Sequence, residues 1–353
     1  LQIVGVWKDL GDFVLKGVSL DVGSGEYLVV IGPTGSGKTI LIETVAGIYT
    51  PDKGKIDLDG RDITNEAPKD RNICMVYQDY MLFPHLSVKD NIAFGLRSRR
   101  VPRAEVEKKV SEASELLGIW HLRHRHPDTL SGGEQQRVAI ARAIVMEPSV
   151  LLLDEPLSAL DGLTRETLRR ELKRLHAHYG VTVIHVTHNF EEVFSLADRV
   201  AVMNDGKIVQ EGCPEEVFRR PNCEMIANFV GVENLFKGIC IEMGGISEIE
   251  VEGLTIVSTA CSNEGEEISG REVFASVRPE EILLSKGPLD SSARNSFQGV
   301  VEDVVDAGMV VKVWVDVGIP FVAILTRQGY QEMALKRGDS VYLTFKASSV
   351  HAF

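Results

Sequence analysis

The sequence predicts a three-layer α/β domain followed by an all-β, barrel-like domain. Three observations carry that prediction. Near-continuous apolar runs at Tyr27–Ile31 and at residues 150–153 and 181–186 read as strands buried on both faces of a parallel sheet. Between them, residues 104–117 and 165–175 show helical periodicity with interleaved charge. Beyond about Gly231 the helical periods vanish, and short strands separated by Gly, Ser and Asn take over. The division reads as residues 1–230 and 231–353.

The first apolar run enters a glycine turn, and a helical stretch leaves it and ends near Gly47. In the second part, Val311, Val313, Val315 and Val317 alternate with Lys312, Trp314 and Asp316, a half-buried strand. That part also repeats itself. Asn234-Leu-Phe236-Lys-Gly238 recurs as Asn295-Ser-Phe297-Gln-Gly299, and Gly270-Arg-Glu-Val-Phe274 recurs more loosely as Gly338-Asp-Ser-Val-Tyr342. Two copies of a β unit of some 60 residues, packed as one OB-like barrel, are expected.

At 353 residues the chain is too long for one small domain, and 44% hydrophobic residues suffice for proper cores. No apolar run approaches the roughly 18 to 20 residues that span a bilayer, and with no basic-then-apolar stretch at its start a secretory leader is not expected. A formal charge of −13 argues against general nucleic-acid binding, which needs a basic face. Five cysteines (74, 213, 223, 240, 261), none in a C-x-x-C pair, read as reduced thiols. His121, His124 and His126 read as a solvated loop rather than a metal site, because arginines separate them and no carboxylate or Cys stands at ligand spacing.

Gly32-Pro33-Thr34-Gly35-Ser36-Gly37-Lys38-Thr39 fits G-x-x-x-x-G-K-[ST] without mismatch, between a buried strand and a helix. The glycines let backbone N–H groups curl around phosphate oxygens, and the helix start adds its positive dipole end. Lys38 brings a full charge to the phosphates, and the Thr39 hydroxyl is placed to ligate Mg²⁺. The domain is therefore an α/β P-loop NTPase. Residues 150–156, Val-Leu-Leu-Leu-Asp154-Glu155-Pro, deliver two carboxylates from a strand end. Asp154 suits the Mg²⁺ shell, and Glu155 suits deprotonation of an attacking water.

Leu130-Ser131-Gly132-Gly133-Glu134-Gln135-Gln136 contains Ser-x-x-Glu, a capping box that could merely start a helix. Yet two glycines in a first helical turn cost up to roughly 1 kcal/mol each relative to Ala, which points to a phosphate approaching bare backbone. Here the sequence resembles the ATP-binding-cassette (ABC) ATPases, with LSGGEQQ as their signature. The resemblance implies an ABC-type nucleotide-binding domain with a helical subdomain over about residues 80–145. It implies a head-to-tail dimer in which Ser131, Gly132, Gly133 and Glu134 of one copy close over ATP held by the other. Gln78, in Tyr77-Gln-Asp-Tyr, matches the Q-loop glutamine that senses Mg²⁺ and water. Asp161, in Ser158-Ala-Leu-Asp161, matches the D-loop at the dimer seam, and His188 matches the switch histidine that contacts the γ-phosphate. Read alone, His188 is as well a surface or capping histidine. Two positions depart from the pattern. Leu10-Gly11 stands where an adenine-stacking aromatic is common, leaving Trp7, Phe13 or aliphatic surface for the base. Asn189 follows the switch histidine where Asp is common.

No long coiled-coil insertion separates Gln78 from the signature, and only one cassette is present. The DNA-repair and translation branches of the family therefore fit poorly. Residues 78–96 read either as ordinary packing or, by resemblance, as the surface where a membrane subunit docks. Arg278-Pro-Glu280 with Ile282 resembles the accessory domain of importer ATPases. Ser292-Ala-Arg294-Asn295 and Lys346-Ala-Ser348-Ser349-Val350 resemble small molybdate-binding (Mop-type) repeats. Hydroxyls and cations of Ser292, Arg294, Lys346, Ser348 and Ser349 suit a tetrahedral oxyanion, although turn residues of a purely structural barrel would look alike. The resemblance implies the ATPase subunit of a molybdate or tungstate importer at the cytoplasmic membrane face. Its partners would be a second copy, two permease subunits and an external solute-binding protein; its ligands would be ATP, Mg²⁺ and an inhibitory oxyanion. An importer ATPase for sulfate, iron or a sugar is the alternative, and a non-transport ABC ATPase the second.

Overall fold

The computed structural model describes residues 1–243, 246–259 and 270–353; Cys261 lies outside them. Contacts divide the chain into Leu1–Val217 and Phe218–Phe353, earlier than the division at residue 230 read from the sequence. The reason is local. Arg278 donates to the Phe218 carbonyl and His351 Nε2 lies 3.0 Å from Pro221 O, so residues 218–221 are held by the β-rich unit.

In chain order the first unit contains β1 (Gln2–Asp9), β2 (Val14–Asp21), β3 (Tyr27–Ile31), α1 (Lys38–Ala46), β4 (Lys53–Leu58), β5 (Arg61–Asp62) and β6 (Ile73–Val76). Then come α2 (Val88–Ser98), α3 (Arg103–Leu116), α4 (Gly132–Ile144), β7 (Val150–Asp154), α5 (Gly162–Tyr179) and β8 (Thr182–Val186). It closes with α6 (Phe190–Leu196), β9 (Arg199–Asn204), β10 (Lys207–Gly212) and α7 (Pro214–Arg219), the last of which runs past the division.

The main sheet runs β10-β9-β3-β8-β7-β6, parallel except for β10. Every residue of β3, β7 and β8 is buried, including Asp154, Thr182 and His185 among their apolar neighbours. A second, antiparallel sheet β2-β1-β4-β5 was not legible in the sequence. Its outer positions carry Lys, Asp and Gly, so the alternation that marks a strand is diluted. The expected helical subdomain is α2, α3 and α4. Asn91, fully buried, holds the segment before α2 by accepting from Phe83 N and donating to Phe83 O, Leu86 O and Ser87 O.

The second unit contains α8 (Glu224–Phe229), β11 (Asn234–Met243), β12 (Ile246–Val251), β13 (Leu254–Ser258), β14 (Glu272–Val277) and β15 (Leu283–Ser285). It continues through β16 (Asn295–Asp306), β17 (Val310–Asp316), β18 (Pro320–Thr326), α9 (Arg327–Met333), β19 (Ser340–Phe345) and β20 (Val350–Ala352). These form two five-stranded antiparallel sheets, β13-β12-β11-β14-β20 and β15-β19-β16-β17-β18, around one shared apolar core. The repeat appears in the register: Gly238 faces Val273 as Gly299 faces Val341. At both glycines a β-carbon would meet a backbone carbonyl, Glu250 O at 2.6 Å and Asp316 O at 2.5 Å. The repeats exchange elements. β15 follows the first repeat but pairs with β19, and β20 follows the second but pairs with β14.

The two repeated asparagines, both fully buried, complete the exchange. Asn234 bridges Val322 on β18 through both amide atoms, and Asn295 bridges Val257 on β13 likewise. Asn295 is thus committed to holding the repeats together. Asn295→Ala strands the Val257 N–H and C=O and is expected to destabilise this unit by about 2 kcal/mol, readable as a lowered denaturant midpoint. Helix α9 departs from the expectation that helical periods vanish after Gly231. It is short, capped by Thr326 accepting from Gly329 N at 3.1 Å, and anchored by only Tyr330 and Met333 against the core.

Candidate nucleotide site

β3 delivers the phosphate loop at its carboxyl end, and three glycines shape the loop. A β-carbon at Gly32 would lie 2.0 Å from Met203 O; Gly35 has φ 81°. Gly37 has φ 97° and begins α1, and a β-carbon there would lie 2.3 Å from the Phe13 ring. Phe13 is therefore the aromatic side chain packed on the loop. Trp7 sits elsewhere, its indole against Gly17, and Leu10 is exposed.

Lys38 is buried inside the loop, with Nζ donating to Gly32 O and Pro33 O, each at 2.9 Å. Burial lowers its pKa, and the nearby carboxylates of Glu155 and Asp154 pull the other way. The Thr39 hydroxyl donates to Asp154 Oδ1 at 3.1 Å. Burial raises the Asp154 pKa, the Thr39 bond opposes this, and the Glu155 charge adds to it. A hydroxyl and a carboxylate converging beside a phosphate loop make a hard, all-oxygen donor set, which fits Mg²⁺.

Glu155 stands one residue beyond β7 with left-handed backbone, φ 43°, and its N–H donates to Val186 O at 2.9 Å. That turn aims the carboxylate at His188, whose Nδ1 is 3.1 Å from Glu155 Oε2. A side-chain-bearing residue held in this conformation is strained, a state common at functional sites. Asn189 caps α6 by accepting from Glu191 N at 2.8 Å, a role Asp would fill equally. Gln78 lies exposed just beyond β6, and since Val76 pairs with Leu153, the ends of β6 and β7 bring Gln78 and Asp154 to the same edge.

Ser131 through Glu134 have other neighbours. The capping box forms: Ser131 Oγ accepts from Glu134 N, and Glu134 Oε2 accepts from Ser131 N at 2.8 Å. Gly133 has an internal reason to be glycine, because a β-carbon there would lie 2.5 Å from Thr164 Cγ2. Gly132 has no such crowding, its nearest neighbour being the Tyr80 hydroxyl at 3.5 Å. Asp161 caps α5, accepting from Thr164 N at 3.1 Å. Arg142 on α4, unmarked in the sequence except as a cation on the helix that the signature begins, donates to Tyr80 O and Met81 O beside Gln78.

A profile of the ABC transporter family matches residues 15–158, and one of the TOBE domain matches residues 291–352. The molybdate/tungstate import ATP-binding protein WtpC of Pyrococcus horikoshii is 46% identical over 354 residues, spanning 100% of this chain and 99% of the relative. The chain belongs to the ABC transporter ATP-binding proteins. Among other ABC relatives, the spermidine/putrescine import ATP-binding protein PotA of Thermotoga maritima is 39% identical over 98% of this chain and 95% of its own length. Among solved ABC structures, cbiO1 from Clostridium perfringens, part of the transporter complex cbiONQ, is 32% identical with TM-score 0.57, covering 62% of this chain and 89% of that one. A dimeric post-hydrolysis structure of the cassette MJ0796 bound to ADP and Pi is 30% identical with TM-score 0.54, covering 60% and 98%. The chain is thus an ATP-binding ABC cassette joined to a C-terminal all-β unit. No helix among the described residues is long and apolar enough to cross a membrane.

Proposed function

We propose that this chain is the ATP-hydrolysing motor of a molybdate or tungstate importer, working as a head-to-tail pair beneath two permease subunits at the cytoplasmic membrane face. The observation that carries the reading is identity with molybdate/tungstate import proteins along the whole chain, C-terminal unit included.

The phosphate loop and Lys38 hold the ATP phosphates, and Phe13, packed on the loop at Gly37, is the ring assigned to the base. Thr39, Asp154 and Gln78 would hold Mg²⁺, which would neutralise phosphate charge. Glu155 takes the proton of the attacking water, and His188 fixes the Glu155 carboxylate. The first turn of α4, with Ser131, Gly132 and Gly133, completes the site of the other copy, and Asp161 stands at the seam. A solute-binding protein outside the membrane delivers the cargo.

In the second unit, β16 and β19 pair Asn295 with Phe345, so Arg294 and Lys346 extend from neighbouring strand ends. The equivalent positions of the first repeat are Glu233 and Arg278. Two neighbouring cations suit an oxyanion. Ser292 and Ser348 are exposed at the same end, while Ser349 donates to Glu281 Oε2 at 3.0 Å, a carboxylate that an anion would have to displace. We assign an inhibitory oxyanion site to Ser292, Arg294, Lys346 and Ser348, with Ser349 recruited by leaving Glu281.

The test is the assembled transporter in vesicles. ATP-dependent uptake of tungstate and molybdate is expected, without uptake of sulfate or spermidine, and molybdate on the ATP side should slow hydrolysis. Uptake of sulfate or spermidine instead would overturn the cargo assignment. Hydrolysis unmoved by saturating molybdate would overturn the inhibitory site.

A further inference from the structure

The chain between Gln78 and α2 follows a path its residues do not favour. Tyr80 and Met81 both have left-handed backbone, φ 60° and 46°, though neither is glycine. Met81 N also donates to Asp79 O at 2.6 Å, a tight three-residue turn. Arg142 holds this turn from α4. Its Nη1 donates to Met81 O at 2.7 Å and its Nη2 to Tyr80 O at 3.0 Å, while the guanidinium lies 5.2 Å from the Phe83 ring centroid. A planar fork suits two adjacent carbonyls and an aromatic face together, and an ammonium does not.

Tyr80 also reaches the start of the same helix. The Tyr80 hydroxyl lies where a β-carbon on Gly132 would be 3.5 Å away, at the first turn of α4. Gly132 and Arg142 are ten residues apart on that helix, roughly 15 Å along its axis. The turn after Gln78 therefore lies along the signature helix, hydrogen-bonded by Arg142 near one end and reaching the first turn with the Tyr80 ring at the other.

We infer that Arg142 is a positioning residue that ties the Gln78 loop to the signature helix, so that closure of the first turn of α4 on a second copy moves Gln78 with it. The inference rests on the reading of Gln78 and residues 131–133 as parts of the nucleotide site. That reading assigns no role to Arg142 or Tyr80.

The experiment measures ATP hydrolysis by the full chain. Arg142→Lys keeps the charge but can serve only one carbonyl, and should lower kcat roughly tenfold with the ATP KM within about twofold. Met81→Gly added to Arg142→Lys removes the strain at φ 46° and should restore kcat to within roughly threefold of the parent. Rescue by a glycine outside the helix is not expected of an arginine that merely packs. An unchanged kcat in folded Arg142→Lys, or a double variant no faster than the single one, overturns the inference. Should Arg142→Lys not fold, Tyr80→Ala removes the ring that reaches Gly132, and an unchanged kcat there overturns it equally. Gln78→Ala in the same assay separates the two levels. If it leaves kcat intact, the underlying reading fails and the inference with it; if it lowers kcat while Arg142→Lys does not, only the inference fails.

Discussion

Glu155→Gln is expected to lower ATP turnover by roughly a thousandfold while leaving ATP affinity within about twofold. The amide has the shape of the carboxylate and can keep an oxygen toward His188 Nδ1, now 3.1 Å from Glu155 Oε2. It cannot accept a proton from water at neutral pH, which is the function assigned to Glu155. Binding should survive because the groups nearest the phosphates are untouched: Lys38 remains inside the loop, and Thr39 remains bonded to Asp154. The backbone should not relax, because the φ of 43° is held by the Glu155 N–H to Val186 O. Phosphate release and titration with a fluorescent ATP analogue read the two quantities separately. The variant should also accumulate as an ATP-bound pair of copies by size-exclusion chromatography. Turnover within tenfold of the parent would move the base to another residue.

Arg71→Leu is expected to remove about 4 to 6 kcal/mol of stability, a large share of the 5 to 15 kcal/mol that ordinary domains have. Arg71 is 1% exposed and donates to four carbonyls: Thr44 O, Val45 O, Thr64 O and Glu66 O, each at 2.9 Å. Thr44 and Val45 belong to the last turn of α1, so the guanidinium caps the helix whose other end is the phosphate loop. Gly47 is shaped around it, since a β-carbon there would lie 2.4 Å from Arg71 Nε. Leucine would leave Val45 O, Thr64 O and Glu66 O without the guanidinium, while Thr44 O keeps the Gly47 N–H at 3.1 Å, and each such loss costs about 1 to 3 kcal/mol before relaxation. Urea unfolding followed by tryptophan fluorescence measures the change. A loss under about 2 kcal/mol would mean that water reaches the vacated carbonyls.

These two residues differ in how readable they were. Glu155 was legible because chemistry constrains it locally: a buried apolar strand, then two carboxylates, at a set remove from a phosphate loop. Arg71 was not legible. In Lys-Asp-Arg-Asn it reads as one more surface charge, and its burial depends on carbonyls contributed by α1 from residues far back in the chain. Gly133 shows a mixed case. Its signature motif stood out, but the Thr164 contact that forbids a side chain there comes from α5, some thirty residues away.

The phosphate loop, the acidic strand end, the signature and the doubled Asn-x-Phe-x-Gly segment are short-range patterns, set by what a few consecutive residues must bind or turn around. The linear chain therefore settled the fold class, the nucleotide chemistry and the presence of a repeat. Folding settled which groups meet. The long-range examples are Thr39 on Asp154, Glu155 on His188, Arg142 on the turn after Gln78, and β15 and β20 exchanged between the repeats. Hydrogen bonds and packing act over a few ångströms in space whatever the separation along the chain, and no periodicity of the sequence records them.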